Sequence, residues 1–265
     1  MPLRPVLLAL ILGLAPAMDV RAQPVEVDLE LVLLVDVSRS MSERELEIQR
    51  RGYAEALRSD AVHAAIQSGL LQTIALTYIE WAGSQEVVVP WRMVSTRTDL
   101  AAFADTLTAR FDQSLRRTSI SGALDYGVQQ ITDNGFAGLR RVIDISGDGP
   151  NNQGRGVTLA RDAAVAEGIV INGLPLLTRD GFGQDWHLEE LDIYYRECVI
   201  GGPGAFVIPV LDWADFAEAV RRKMVLEIAG LAPVDRVIRA QDRNPRDCQV
   251  GEKIWQDRQR YWDFP

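Results

Sequence analysis

Asp36, Ser38 and Ser40 stand at alternate positions where the apolar run Leu31-Val32-Leu33-Leu34-Val35 ends. One carboxylate and two hydroxyls at the end of a strand make a cluster of hard oxygen donors, the chemistry that a divalent cation such as Mg²⁺ requires. An apolar run without polar alternation predicts a strand buried on both faces, as at the centre of a parallel sheet. Ligands of such sheets bind at the carboxyl ends of the strands. Two further stretches offer oxygen donors to the same edge. Thr118 lies where the polar loop Arg116-Arg117-Thr118-Ser119 runs into a helix, and Asp148 lies in Gly147-Asp148-Gly149, after a fourth strand.

Each stretch alone has a plainer reading. Asp36, Ser38 and Ser40 are residue types that cap helices, but Ser42 already takes that role, forming a capping box with Glu45. Thr118 by itself is equally a loop or cap hydroxyl, and Asp148 a turn residue. Asp144 is a rival carboxylate, but it sits inside the strand, where an arginine would pair with it. Asn151 and Asn152 are either outer-shell groups or turn residues.

The elements that must hold these residues follow from periodicity and punctuation. The first strand is expected over Val25 to Val37 and a helix over Met41 to Leu57. Strands at Thr73–Trp81 and Glu86–Met93 are close enough to form a hairpin. A helix opens at Thr98, another runs to Ile131, and a fourth strand covers Leu139 to Ile145. Val157 to Glu167 is helical, Ile169 to Leu176 a fifth strand, and 179–204 irregular. Ala205 to Val210 is a sixth strand and Trp213 to Ile228 the last helix. This alternation predicts an α/β fold, doubly wound, with a mostly parallel central sheet of about six strands, one antiparallel edge strand and helices on both faces.

Asp36-Val37-Ser38-Arg39-Ser40, Thr118-Ser119-Ile120-Ser121-Gly122-Ala123-Leu124 and Gly147-Asp148-Gly149 together resemble the metal-ion-dependent adhesion site of the von Willebrand factor type A (vWA) domain family. The resemblance covers residues 28–229 and is similar to an uncharacterised branch of exported bacterial proteins, a domain of unknown function. It implies the Rossmann-like vWA fold, with Ser38 and Ser40 as direct cation ligands. Thr118 would bind directly or through water, and Asp36 and Asp148 would act through water as the charge-balancing shell. The implied ion is Mg²⁺, with Mn²⁺ or Ca²⁺ as alternatives, and the implied partner is a protein that offers an acidic side chain. Uncharged direct ligands leave such a cation strongly attractive to one more anionic oxygen, and Mg²⁺ gives up its water reluctantly enough to suit this mixed shell. Arg39 departs from the family, which commonly has glycine there. Its side chain either points away or adds positive charge beside the ligand position. The segment 186–204 is not a general family feature either.

Composition limits the partners. A formal net charge of −9 opposes binding to nucleic acid or to an anionic membrane surface. The N-terminus reads as a secretory signal peptide, residues 1–22: Arg4, an apolar run from Val6 to Ala15, and small residues before a cleavage point after Ala22. That run is shorter than the roughly 20 residues a membrane span needs, so no stable membrane insertion is expected after cleavage, and the location is periplasmic or secreted. The vWA-like domain is expected over 25–230 and a C-terminal tail packed on it over 231–265. Cys198 and Cys248 form an even pair bound for an oxidising compartment, so a disulfide is the default over free thiols or a metal pair. By the chain-entropy model it would contribute at most about 4 kcal/mol. His63 and His187 lack partners at metal-ligand spacing. Tyr194 and Tyr195 line a partner surface or pack against the disulfide, and the glycine-rich turn 201–204 is a loop or an anion nest.

The leading expectation is a binding module, not an enzyme. The rival is a phosphohydrolase of haloacid-dehalogenase type with Asp36 as nucleophile. It needs a second aspartate where Ser38 stands and a lysine for the phosphoryl charge, and no lysine precedes Lys223. A third reading is a vWA scaffold with no metal function.

Overall fold

The computed structural model describes residues 23–108, 117–178, 188–233 and 247–262. The expected signal peptide, His187 and residues 234–246 of the expected tail lie outside them. Five strands form one sheet: β1 (Val25–Asp36), β2 (Ile74–Trp81), β3 (Gln85–Val94), β4 (Phe136–Gly147) and β5 (Val170–Pro175), in the order β3-β2-β1-β4-β5. β1 pairs in parallel with β2 and β4, β4 in parallel with β5, and β3 closes one edge antiparallel to β2. The sheet is doubly wound and mostly parallel, as the alternation of elements predicts.

β1 is central because both its faces are apolar. Leu29, Leu31, Leu33 and Val35 point to one layer, where they meet Tyr53 and Leu57 of α1 (Glu43–Leu57), Phe103 of α3 (Arg97–Thr108) and Met224 of α7 (Phe216–Ala229). Val32 and Leu34 point to the other, against Ile120 and Leu124 of α4 (Ile120–Thr132) and Ala160 of α5 (Val157–Ala166). α1 starts where its capping box dictates: Glu45 N–H donates to Ser42 Oγ at 3.3 Å and Ser42 N–H to Glu45 Oε2 at 2.6 Å. The segment after α1 folds as a further helix, α2 (Asp60–Gln67), capped by Ser59.

The expected sixth strand is not a strand. Residues 206–210 do run beside β5, with Gly173 N–H donating to Phe206, Ile208 N–H to Gly173, Val210 N–H to Pro175 and Leu177 N–H to Val210, all at 2.8–3.0 Å. The bond missing from this parallel ladder is the one that residue 175 would donate, and Pro175 has no N–H. Only isolated bridges at Val207 and Val210 survive. The segment expected to be irregular contains a short helix, α6 (Leu191–Tyr194), continued by a π turn at Tyr195–Val199. The last described element is α8 (Val250–Trp262), most of whose residues are polar.

Strand order reverses between β1 and β4: the chain moves from β1 outward to β2 and β3, then returns to β4 on the other side. The carboxyl ends of β1 and β4 thus flank the topological switch point, where α/β sheets bind ligands. Asp36 ends β1, and Asp148 follows the last residue of β4.

Candidate functional site

The turn after β1 is built on Asp36. Its Oδ1 accepts the backbone N–H of Ser38 at 2.7 Å, an Asx-type turn. The buried side-chain amide of Gln49, on α1, donates to the Asp36 carbonyl at 3.0 Å and holds the strand end against that helix. Ser38 Oγ and Ser40 Oγ lie 3.0 Å apart, and Ser40 Oγ donates to Asp148 Oδ1 at 2.8 Å. A serine hydroxyl has one proton. With Ser40's directed at Asp148, the donor between the two serines is Ser38, and both hydroxyl oxygens keep lone pairs for another ligand. Four of the five expected site residues thus form one hydrogen-bonded chain, Asp36–Ser38–Ser40–Asp148.

Thr118 enters through its backbone. Its N–H donates to Asn152 Oδ1 at 3.0 Å, and its carbonyl accepts from Asn152 N–H at 2.9 Å. Ser119 N–H donates to the carbonyl of Ala82, just after β2. Ser119 caps α4, and Ser121 N–H donates to Asn151 Oδ1 at 2.9 Å. Asn151 and Asn152 therefore stitch the threonine loop to the loop that carries Asp148. Their position beside Gly147-Asp148-Gly149 is visible in the sequence, but the partner loop is not.

The electrostatics favour a cation. Burial, and then the charge of Asp148, push the Asp36 carboxyl well above its usual range. Burial raises Asp148 to about 6, with the charge of Glu45 adding to it and the Ser40 hydroxyl opposing. Asp36 Oδ2 is fully buried and has no hydrogen-bond partner. Two carboxylates forced together with one acceptor unsatisfied form the environment a divalent ion relieves, so the residues fit the group. Among the described residues no three His, Cys, Asp or Glu side chains gather as a metal cage, and ligation here rests on hydroxyls. Arg39, at the position of the family's glycine, is exposed.

The rival carboxylate belongs elsewhere. Asp144 faces the opposite side of the sheet, and its partner is Lys223 Nζ at 2.6 Å rather than an arginine. Tyr194 and Tyr195 are fully buried and so do not line a partner surface. Cys198 and Cys248 form the expected disulfide, with Cα atoms 5.5 Å apart. His63 sits on α2, away from the site, and the 201–204 turn uses positive φ at Gly202 and Gly204 to return the chain toward β5.

The model of a family described as a protein of unknown function, DUF1194, matches residues 26–232. The chain belongs to that family. No curated protein matches this DUF1194 chain in sequence. Among solved structures, it is similar to proximal thread matrix protein 1 from the mussel byssus with a zinc-occupied MIDAS motif (TM-score 0.56, 14% identity, covering 78% of this chain and 49% of that one). It is also similar to a von Willebrand factor type A protein from Catenulispora acidiphila (TM-score 0.55, 14% identity, 76% and 43%). A third is the pilus adhesin SpaC from Lactobacillus rhamnosus GG (TM-score 0.54, 12% identity, 79% and 31%). The DUF1194 chain spans less than half the length of each, and at these identities the likeness establishes its fold, which is vWA-like.

Proposed function

We propose that this DUF1194 chain is an exported, divalent-cation-dependent protein-binding module with its site at Asp36, Ser38, Ser40, Thr118 and Asp148. The observation that carries the reading is the chain of bonds from Asp36 through Ser38 and Ser40 to Asp148, with Asp36 Oδ2 left without a donor. The zinc-occupied motif in the mussel protein, which shares this fold, supports a cation at this edge. Ser38 and Ser40 offer neutral oxygens as direct ligands and Thr118 binds directly or through water, while Asp36 and Asp148 balance charge through water. Asp148 also orients Ser40 by taking its proton in a hydrogen bond. The cation, Mg²⁺ with Mn²⁺ or Ca²⁺ as alternatives, supplies Lewis acidity toward one anionic oxygen, and a carboxylate of the partner protein completes the shell. The disulfide agrees with an oxidising compartment. Among the described residues no helix is long and apolar enough to cross a membrane.

The phosphohydrolase reading loses its cationic residue. Lys223 is fully buried and engaged by Asp144 and Glu227, on the face of the sheet away from Asp36. Titration calorimetry with Mg²⁺ and Mn²⁺ tests the module directly. Wild type is expected to bind one ion and the Ser38→Ala/Ser40→Ala double variant none. Equal affinity in both, or no binding in either, overturns the site. Retention of a partner from extract, lost with EDTA and in the double variant, is the expected partner-level result.

A further inference from the structure

The 191–199 segment, expected to be irregular, and α8, in the expected tail, meet directly behind the candidate site. Tyr194 Oη accepts the backbone N–H of Asn151 at 3.1 Å. Tyr195 Oη lies beside Gly147, so close that a Cβ on that glycine would stand 2.8 Å from it and 2.9 Å from Asp36 Oδ2. Three residues on, Cys198 is bonded to Cys248, and α8 begins two residues after that. Gly251 packs its Cα against the Asn151 carbonyl, where a Cβ would meet the oxygen at 2.1 Å. Glu252 Oε1 accepts from Asn151 Nδ2 at 2.7 Å. Farther along α8, the ring of Trp255 lies under the guanidinium of Arg117, 4.8 Å from its centroid. Arg117 has φ +73, a conformation non-glycine residues rarely adopt, and is the residue immediately before Thr118.

These contacts converge on the threonine loop from two sides. Asn151 is fully buried and has every polar side-chain atom engaged: Oδ1 by Ser121 N–H, and Nδ2 by the Arg155 carbonyl and Glu252. Its orientation determines where Ser121 and the start of α4 sit. The strained backbone of Arg117 persists only while its surroundings hold it, and Trp255 is one of the groups that does. Neither Glu252 nor Trp255 can reach its contact unless α8 is docked, and the disulfide joins the start of α8 to the turn that carries Tyr194 and Tyr195.

We infer that α8, stapled by Cys198–Cys248, is the positioning element of the threonine side of the site. It fixes Asn151 and Arg117, and through them holds Thr118 in register with Ser38, Ser40 and Asp148. The placement of the loop stands on the contacts above; its consequence for a cation rests on the proposed function. Supporting groups of this kind commonly change metal affinity by about 10–100-fold when removed.

The test compares wild type with Cys198→Ser/Cys248→Ser, Trp255→Ala and Trp255→Phe, by amide exchange without a cation and by Mn²⁺ titration followed by electron paramagnetic resonance. In the double cysteine variant and in Trp255→Ala, the Thr118 and Ser121 amides are expected to exchange about tenfold faster or more, while the β4 amides of Ile143 and Ile145 stay protected. Mn²⁺ affinity is expected to fall by about tenfold, with a changed spectrum of the bound ion, and Trp255→Phe, which keeps an aromatic face for Arg117, restores both. Unchanged exchange at Thr118 and Ser121 in both disruptive variants overturns the inference. If the double cysteine variant does not fold, the Trp255 pair, with the disulfide intact, decides. Absence of Mn²⁺ binding to wild type overturns the proposed cation site, and the exchange experiment then still decides whether α8 positions the loop.

Discussion

Two pairs of carboxylates, Asp144 with Glu227 and Asp36 with Asp148, lie against the central strands β1 and β4, and the protein treats them in opposite ways. Below the α7 face, Asp144 and Glu227 share the ammonium of Lys223, with both ion pairs at 2.6 Å and all three groups almost wholly excluded from solvent. Asn172 donates to Glu227 Oε1 at 2.9 Å. At the sheet's carboxyl edge, Asp36 and Asp148 have two hydroxyls between them and, among the described residues, no cationic side chain in contact with them. Where the charge is structural, the fold supplies its own cation. Where it is left open, at the switch point beside solvent, the same electrostatic demand stands for a diffusible ion to answer. The difference separates a packing device from a candidate site, although Asp144 and Asp36 both look like acidic residues in apolar strands.

Removing the cation from the core set is expected to have the largest effect. Lys223→Met leaves the Asp144 carboxylate buried without its counter-charge, with Glu227 beside it, and chemical denaturation should show a loss of about 3–5 kcal/mol. A loss near zero would mean that the two clusters are not different in kind. A smaller effect per pH unit follows from Glu227, whose carboxyl is raised to about 8 by burial and the charge of Asp144, against the opposing pull of Lys223. Its folded value lies above its ordinary one of 4.5, so the native state holds a proton that the unfolded state releases. Stability from this group therefore declines as pH rises from 4.5 to about 8, by at most about 1.4 kcal/mol per pH unit. Thermal melts of Glu227→Gln across that window should lack this slope. Smallest, and opposite in sign to Lys223→Met, is Asp36→Asn in EDTA. Taking away a buried charge with no counter-ion should stabilise the cation-free protein by about 1 kcal/mol in urea melts, while abolishing cation binding. Destabilisation by that variant would erase the contrast.

What the sequence reveals follows from how far each signal reaches along the chain. β1 is legible because five consecutive aliphatic residues end on a carboxylate, and α1 because Ser42 and Glu45 cap it within one turn. The hydroxyl chain is legible through the resemblance, which links Ser40 to Asp148 across 108 positions that no local pattern spans. The attachment of α8 at Cys248 is legible in the cysteine pair, but its further contacts are not, because they are single side chains, Glu252 on Asn151 and Trp255 on Arg117, rather than an apolar stripe. The expected sixth strand misleads for the opposite reason. Its own residues have strand character, and the break comes from Pro175 on the neighbouring strand. Lys223 likewise sits in α7 as an ordinary helix former, and only the sheet opposite it explains its burial.

The central placement of β1 also governs the order in which the molecule can assemble. The first strand of the sheet is the one that needs neighbours on both sides, and one of them, β4, lies more than a hundred residues downstream. Until β4 docks, Asp36 and the serines have nothing across from them, and Asp148 is on an unfolded segment. Contacts of such long range form slowly. The oxygen cluster therefore exists only once β4 has docked beside β1. On the proposed function, an ion that needs all of it would bind only molecules in which that strand pair has formed.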